Sequence, residues 1–218
     1  MTHYRHPQGH TFYRRIDYPR PMIARGEGVY LFDTNGRRYL DASGGPVLVN
    51  IGHGVDEVIG AVAEQARQAA YVHATMFTSQ AVEDYSDALA KVTPLPDPCF
   101  FYLCSGSEAT ETALKFARQV QVDRGEAGRY LVISRWRSYH GTTLGALAVS
   151  GRPGLRSLYA PMMHDMPHIP PPFCYRCPYG LEHPSCGIAC ALALEEEIKI
   201  LGADTVAAFI AEPISGAS

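Results

Sequence analysis

The chain has 218 residues, of which 46% are hydrophobic and 19% charged, and its formal net charge is -3. That length supports one large domain or one and a half, and the composition excludes a disordered or fibrous chain. The charge balance gives no electrostatic reason for a nucleic-acid partner, the N-terminal stretch lacks the apolar run of a signal peptide, and no segment reaches transmembrane length. A cytoplasmic protein without nucleic-acid or membrane partners is the expectation.

In chain order, Val29 to Asp33 and Arg37 to Asp41 flank Asn35-Gly36, the strongest short-range hairpin signal. The glycine-rich "SGGPVLVNIGHG" follows. Val55 to Tyr71 then places Val55, Val58, Ile59, Val62 and Ala66 at helical spacing. A second helix is expected over Ser79 to Val92, with Val82, Tyr85, Leu89 and Val92 inward and the prolines of "TPLPDP" ending it. Phe100 to Cys104 reads as a short, fully buried strand, with Cys99 and Cys104 in the core. Ser105 with Glu108 three residues on matches a capping box, opening a helix that runs to about Gln121. Strand "RYLVIS", a helix opening near Gly141, a proline-rich loop, a helix over Ile188 to Leu201 and strand "TVAAFIAE" complete the alternation. The fold class is therefore α/β, a mostly parallel sheet with helices on both faces, preceded by a small N-terminal α+β segment. Residues 1–60 are expected to begin the small domain and 61–218 the large one.

Parallel sheets bind ligands where the loops after their strands meet. Three such loops carry chemistry: "SGSEA", "RSYHGTT" and "AEPISGAS". Ser105, Gly106 and Ser107 stand at a helix N-terminus, whose free N–H groups and dipole suit an anion. The Lys-Ser or Lys-Thr of a phosphate loop and the three spaced glycines of a dinucleotide loop are missing, which disfavours the common nucleotide folds. Tyr139 at a strand end offers a stacking face, with His140 and Gly141 beside it, and Glu212 closes an otherwise apolar strand. Each has an ordinary structural reading: a capped helix, a packed ring, a satisfied histidine, a strand-end charge. Together they suggest a phosphorylated aromatic cofactor.

The series "SGSEATETALKFAR", "RSYHGTTLGALAVSG" and "FIAEPISGAS", with "GVYLFDTNGRRYLDASGGPVLVNIGHG" before it, resembles the class III aminotransferases, the omega-transaminase branch of the pyridoxal 5′-phosphate enzymes. The resemblance implies an incomplete aspartate-aminotransferase-like fold and pyridoxal phosphate as cofactor. It implies that Ser105, Gly106 and Ser107 hold the phosphate and that Tyr139 stacks on the pyridine ring. His140 and Gly141 would shape the surroundings, and Glu212 would join the polar network at the cofactor's phenolic oxygen and the substrate, the one catalytic assignment within the chain. Ser43, Gly44, Gly45, Pro46 and Val47 would line the amino-donor pocket.

The implied activity moves an amino group from an amine or amino acid donor to a 2-oxo acid, in a homodimer. Ala217 stands where relatives acting on 4-aminobutyrate carry a glutamate, which argues against that substrate. The family's Schiff-base lysine and the aspartate on the pyridine nitrogen follow the "EP" motif, and Lys91, Lys115 and Lys199 match neither place. The chain therefore reads as an amino-terminal fragment, inactive alone. Another reaction of the same cofactor, a mutase or decarboxylase, is the nearest alternative; a non-catalytic binding module is the other.

Cys174, Cys177, Cys186 and Cys190 have a pair-and-pair spacing that could close a thiolate site for zinc or an iron–sulfur cluster. The three residues between the second pair, and the helical setting of Cys190, favour free thiols instead.

Overall fold

The computed structural model describes residues 3–4, 10–15, 17–18 and 20–216. The chain divides into two compact units, Met1–Cys99 and Phe100–Ser218, so this division falls later than the domain boundary expected after residue 60.

In the first unit, strands β1 (Ile23–Glu27), β2 (Tyr30–Asp33) and β3 (Arg38–Leu40) form an antiparallel sheet in that order. The expected hairpin between β2 and β3 is present. Its turn is fixed by Asp33, whose carboxylate accepts from the N–H groups of Asn35 and Arg37, both at 2.9 Å, and from the Tyr39 hydroxyl. Gly36 takes the left-handed conformation, φ 79°, that this turn requires. Gly28 and His53 exchange backbone hydrogen bonds of 2.9 and 2.8 Å, and a Cβ on the neighbouring Gly26 would stand 2.7 Å from the His53 side chain.

Helices α1 (Asp56–Gln68) and α2 (Gln80–Ala90) follow at the expected places. The expectation that the apolar stripe of α2 points inward is not met, and the stripe of α1 is exposed as well. Val58, Ile59, Val62, Val82, Tyr85 and Val92 are all exposed. Periodicity specifies that a stripe exists, but its cover must come from another element.

The second unit opens with a further correction. Phe100–Cys104 is neither a strand nor buried: the run belongs to no strand of the described sheets, Phe101 is 78% exposed, and Cys99 and Cys104 are exposed. A five-residue apolar run becomes a strand only when a neighbour supplies the other half of its hydrogen bonds. Helix α3 (Gly106–Asp123) then starts on Ser105, whose Oγ accepts from the Glu108 N–H at 3.3 Å.

Strands β4 (Leu131–Arg135), β5 (His168–Ile169) and β6 (Val206–Phe209) make a parallel sheet in the order β5-β4-β6. Ser134 pairs with His168 on one side of β4, and Ile133 with Phe209 on the other. Helix α4 (Leu144–Val149) packs on β4 and α3, α3 reaches β6, and α5 (Ala189–Leu201) lies against β5. This is part of an aspartate-aminotransferase-like α/β fold. Its dry centre is Val132, Ile133, Ala146 to Val149 and Ile169.

Polar groups in that centre are matched. Ser134 Oγ donates to the Val149 carbonyl, and Arg156 donates to the carbonyls of Ala148 and Ser150 at 2.9 and 2.8 Å. The same guanidinium donates to His168 Nε2 at 2.7 Å, while His168 Nδ1 lies 2.8 Å from the Met166 carbonyl. These partners specify a neutral imidazole with its proton on Nδ1. Trp136 stacks on that ring at 4.4 Å between centroids.

Candidate functional site

Two of the three loops that the sequence singles out are bonded to one another in the second unit. Ser107 Oγ accepts the N–H of Thr142 at 3.0 Å, tying the start of α3 to the loop that carries Tyr139, His140 and Gly141. Because that hydroxyl accepts one bond, its own proton is free to donate outward. Gly106 and Ser107 also carry first-turn N–H groups that a helix leaves unmatched, and beyond its chain neighbours and its own helix backbone nothing lies within 4 Å of where a Cβ on Gly106 would stand. The turn offers N–H donors, a hydroxyl and open space. That combination suits a phosphate.

The second loop is held from several sides. The Thr110 hydroxyl donates to the His140 carbonyl at 2.7 Å, and the His140 N–H donates to Ser150 Oγ at 2.8 Å. Gly141 is buried with φ 136°, and a Cβ there would stand 2.7 Å from Ser107 Oγ and 2.8 Å from Ala146, so the close approach requires glycine. Tyr139 is 40% exposed, leaving its ring available to stack.

His140 Nε2 is buried without a hydrogen-bond partner. Burial pushes this imidazole below its ordinary 6.5, while the negative charge of Glu212 pulls the other way. Glu212, half-buried after β6, thus acts on the second loop electrostatically. A buried imidazole nitrogen left unpaired is a place for a ligand's polar group. An anion, a flat ring and a polar substituent on that ring fit these residues, as pyridoxal phosphate would require.

Ser43 to Val47 belong to the first unit, in a kinked turn where Gly45 has φ 67° and Val47 φ 61°. Asp41 shapes it, accepting from the Gly44 N–H at 3.0 Å and bonding His53 Nε2 at 2.9 Å. The His53 bond, first, and the Gly44 amide hold the Asp41 carboxyl below the ordinary range against the opposing effect of burial. Ala217 lies outside the described residues.

Sequence reasoning missed Glu111, Thr110 and Ser150, which hold the second loop. One signal was available: α4 opens on Thr143 with no acid in its first turn, and Glu111 lies four residues after Ser107, on the same face of α3.

The cysteine expectation needs correction. Cys174, Cys177, Cys186 and Cys190 do line one cavity of ≈ 20 Å³, with Tyr179 and His183, yet among the described residues no group of three His, Cys, Asp or Glu side chains could hold a metal ion. The four thiols are free. Cys174 starts a 3-10 turn, Cys177 ends it, and Cys190 sits in the first turn of α5. Zinc and an iron–sulfur cluster are unsupported.

Comparison with known proteins establishes the family. Residues 13–218 match the family described as Aminotransferase class-III. The chain belongs to that family. It is 38% identical over 198 residues to an uncharacterized aminotransferase, YodT, of Bacillus subtilis (strain 168), covering 91% of this chain and 44% of that protein. It is 34% identical over 197 residues to putrescine–pyruvate aminotransferase of Pseudomonas aeruginosa, covering 90% of this chain and 43% of that one. Among solved structures, an amine transaminase of an uncultivated Pseudomonas species in its PLP-bound form superposes with a TM-score of 0.86 at 34% identity, covering 99% of this chain and 49% of that one. The chain thus spans less than half the length of these relatives. Among its described residues, no helix is long and apolar enough to cross a membrane.

Proposed function

We propose that this chain carries the phosphate- and ring-binding loops of a pyridoxal-phosphate-dependent transaminase, which moves an amino group from an amine or amino acid to a 2-oxo acid. The observation that carries the reading is the 3.0 Å bond from the Thr142 amide to Ser107 Oγ, which makes the helix N-terminus and the Tyr139–Gly141 loop one site. Bound pyridoxal phosphate supplies a conjugated electron sink for a substrate carbon that gives up a proton.

The chain's own residues bind and orient. Ser105, Gly106 and Ser107 hold the phosphate through first-turn N–H groups and the Ser107 hydroxyl. Tyr139 covers one face of the ring, Gly141 lets the loop close on Ser107, and His140, neutral because it is buried, meets polar groups without adding charge. Glu212 places a carboxylate at the ring's polar edge and the substrate. Ser43 to Val47 form part of the amino-donor pocket.

Lys91, Lys115 and Lys199 are all exposed, and Lys199 is paired with Glu195 and Glu196 at 2.8 and 3.0 Å. None lies in these loops, and none is assigned to covalent cofactor attachment. The exposed stripes of α1 and α2 support a homodimer, since apolar surface of this kind calls for cover. The cytoplasm is the compartment in which six free thiols fit most simply.

Equilibrium dialysis tests the reading. Pyridoxal phosphate is expected to bind saturably, and pyridoxal, which lacks the phosphate, at least about tenfold more weakly. Ser107→Asp should remove that preference by charge repulsion. Equal binding of the two ligands, or none, overturns the site.

A further inference from the structure

Ser107, Thr110 and Glu111 occupy one face of α3, at the i, i+3 and i+4 spacing. All three bond to the segment between Tyr139 and Ala146. Ser107 accepts the Thr142 amide, Thr110 donates to the His140 carbonyl, and Glu111 Oε1 accepts the N–H groups of Gly145 at 2.8 Å and Ala146 at 3.1 Å. The last two are first-turn donors of α4, whose own N-cap, Thr143, makes no side-chain cap.

Helix α4 has only six residues, too few to persist alone, and its start has to be fixed from outside. A carboxylate at that end satisfies two free donors with charge-assisted bonds and complements the helix dipole. The sequence leaves room for it: a Cβ on Gly145 would stand 2.3 Å from Glu111 Oε2. Ala146 to Val149 are buried beyond this start, so where α4 begins sets where the preceding loop can lie.

We propose that Glu111 is a positioning residue of the cofactor site: by capping α4 from across α3, it fixes the pose of Tyr139, His140 and Gly141 against the Ser107 turn. This rests on the pyridoxal-phosphate reading above. Glu111 itself does not touch the cofactor. Its role separates it from a surface carboxylate on the same helix and from an ordinary N-cap, because the cap comes from a different helix and couples the two loops.

The experiment measures two quantities on the chain: amide hydrogen exchange over residues 139–149, and the dissociation constant for pyridoxal phosphate. Glu111→Ala should speed exchange at Gly145 and Ala146 and weaken pyridoxal phosphate by about tenfold, as expected for losing charge-assisted bonds that order the loop. Glu111→Gln, whose amide oxygen accepts the same two N–H groups, should restore most of both. Thr110→Val removes the bond to His140 while keeping the side-chain shape, and should loosen the ligand too; it decides the matter if Glu111→Ala does not fold. Wild-type protein that binds no pyridoxal phosphate sinks the functional reading and this proposal with it. Wild-type binding that survives Glu111→Ala and Thr110→Val unchanged, or a Gln variant as impaired as Ala, sinks the positioning role alone.

Discussion

The two units meet the same physical demand with different success. In the second, β4 and α4 bury a contiguous set of aliphatic side chains, and the serines and arginine among them find partners. In the first, Asp33 is the one buried side chain among the described residues, and both helices keep their apolar stripes in solvent. One unit is organised by packing, the other by turn chemistry and a short sheet. A site on a packed unit is held to tighter geometry. The loops proposed to hold phosphate and ring lie on that unit, whereas Ser43 to Val47 depend on Asp41 and His53 for their shape.

The sharpest way to break this contrast is with glycines. A Cβ on Gly151 would stand 2.0 Å from the Arg135 carbonyl oxygen, at the end of β4. Gly151→Ala should therefore abolish the cooperative unfolding transition of the second unit in urea. Gly60, in the middle of α1, has open space around it, and Gly60→Ala should stabilise by roughly 0.5–1 kcal/mol through helix propensity. Equal effects would show that the units do not differ in packing.

Next in size are the aliphatic truncations. Ile133 is fully buried in β4, and Ile133→Ala should cost about 2–5 kcal/mol in denaturant unfolding. Val62 is 64% exposed on α1, and Val62→Ala should change stability by less than about 0.5 kcal/mol.

Acid should separate the units most gently. His140 and His168 are held below 6.5 by burial, for His168 with the Arg156 charge adding to it. A lowered folded pKa means that the unfolded chain binds the proton first, so this stability is full above 6.5 and is lost as pH falls below it. Asp41 is lowered from 3.8, so its contribution persists until pH falls below that value. Amide exchange followed between neutral pH and pH 4 should rise first around β4 and α4. Earlier loss around the Asn35-Gly36 hairpin would reverse the comparison.

What was legible in the sequence was local. Asn35-Gly36 makes its turn from neighbouring groups, Ser105 caps α3 three residues on, and β4 and β6 carry enough β-branched and apolar residues to declare themselves. What was illegible depended on distant partners. Phe100 to Cys104 has strand composition but joins none of the described sheets, the stripes of α1 and α2 say nothing about their cover, and four cysteines spaced like metal ligands line one cavity without forming, among the described residues, a metal-holding group. Of the site, Ser107 and the Tyr139–Gly141 loop were recognisable as chemistry. Glu111 was not, because its spacing from Ser107 marks only a shared face of α3, and the helix start that it caps lies 34 residues away in sequence.

The Trp136–His168 stack has an optical consequence. Trp136 is the chain's single tryptophan, and its indole lies on an imidazole that burial, first, and the Arg156 guanidinium hold toward its neutral form. A protonated imidazole in van der Waals contact draws excitation away from indole, whereas a neutral one does so far less. The intensity of this one fluorophore is therefore a built-in gauge of whether β5 still sits against β4, readable without any label.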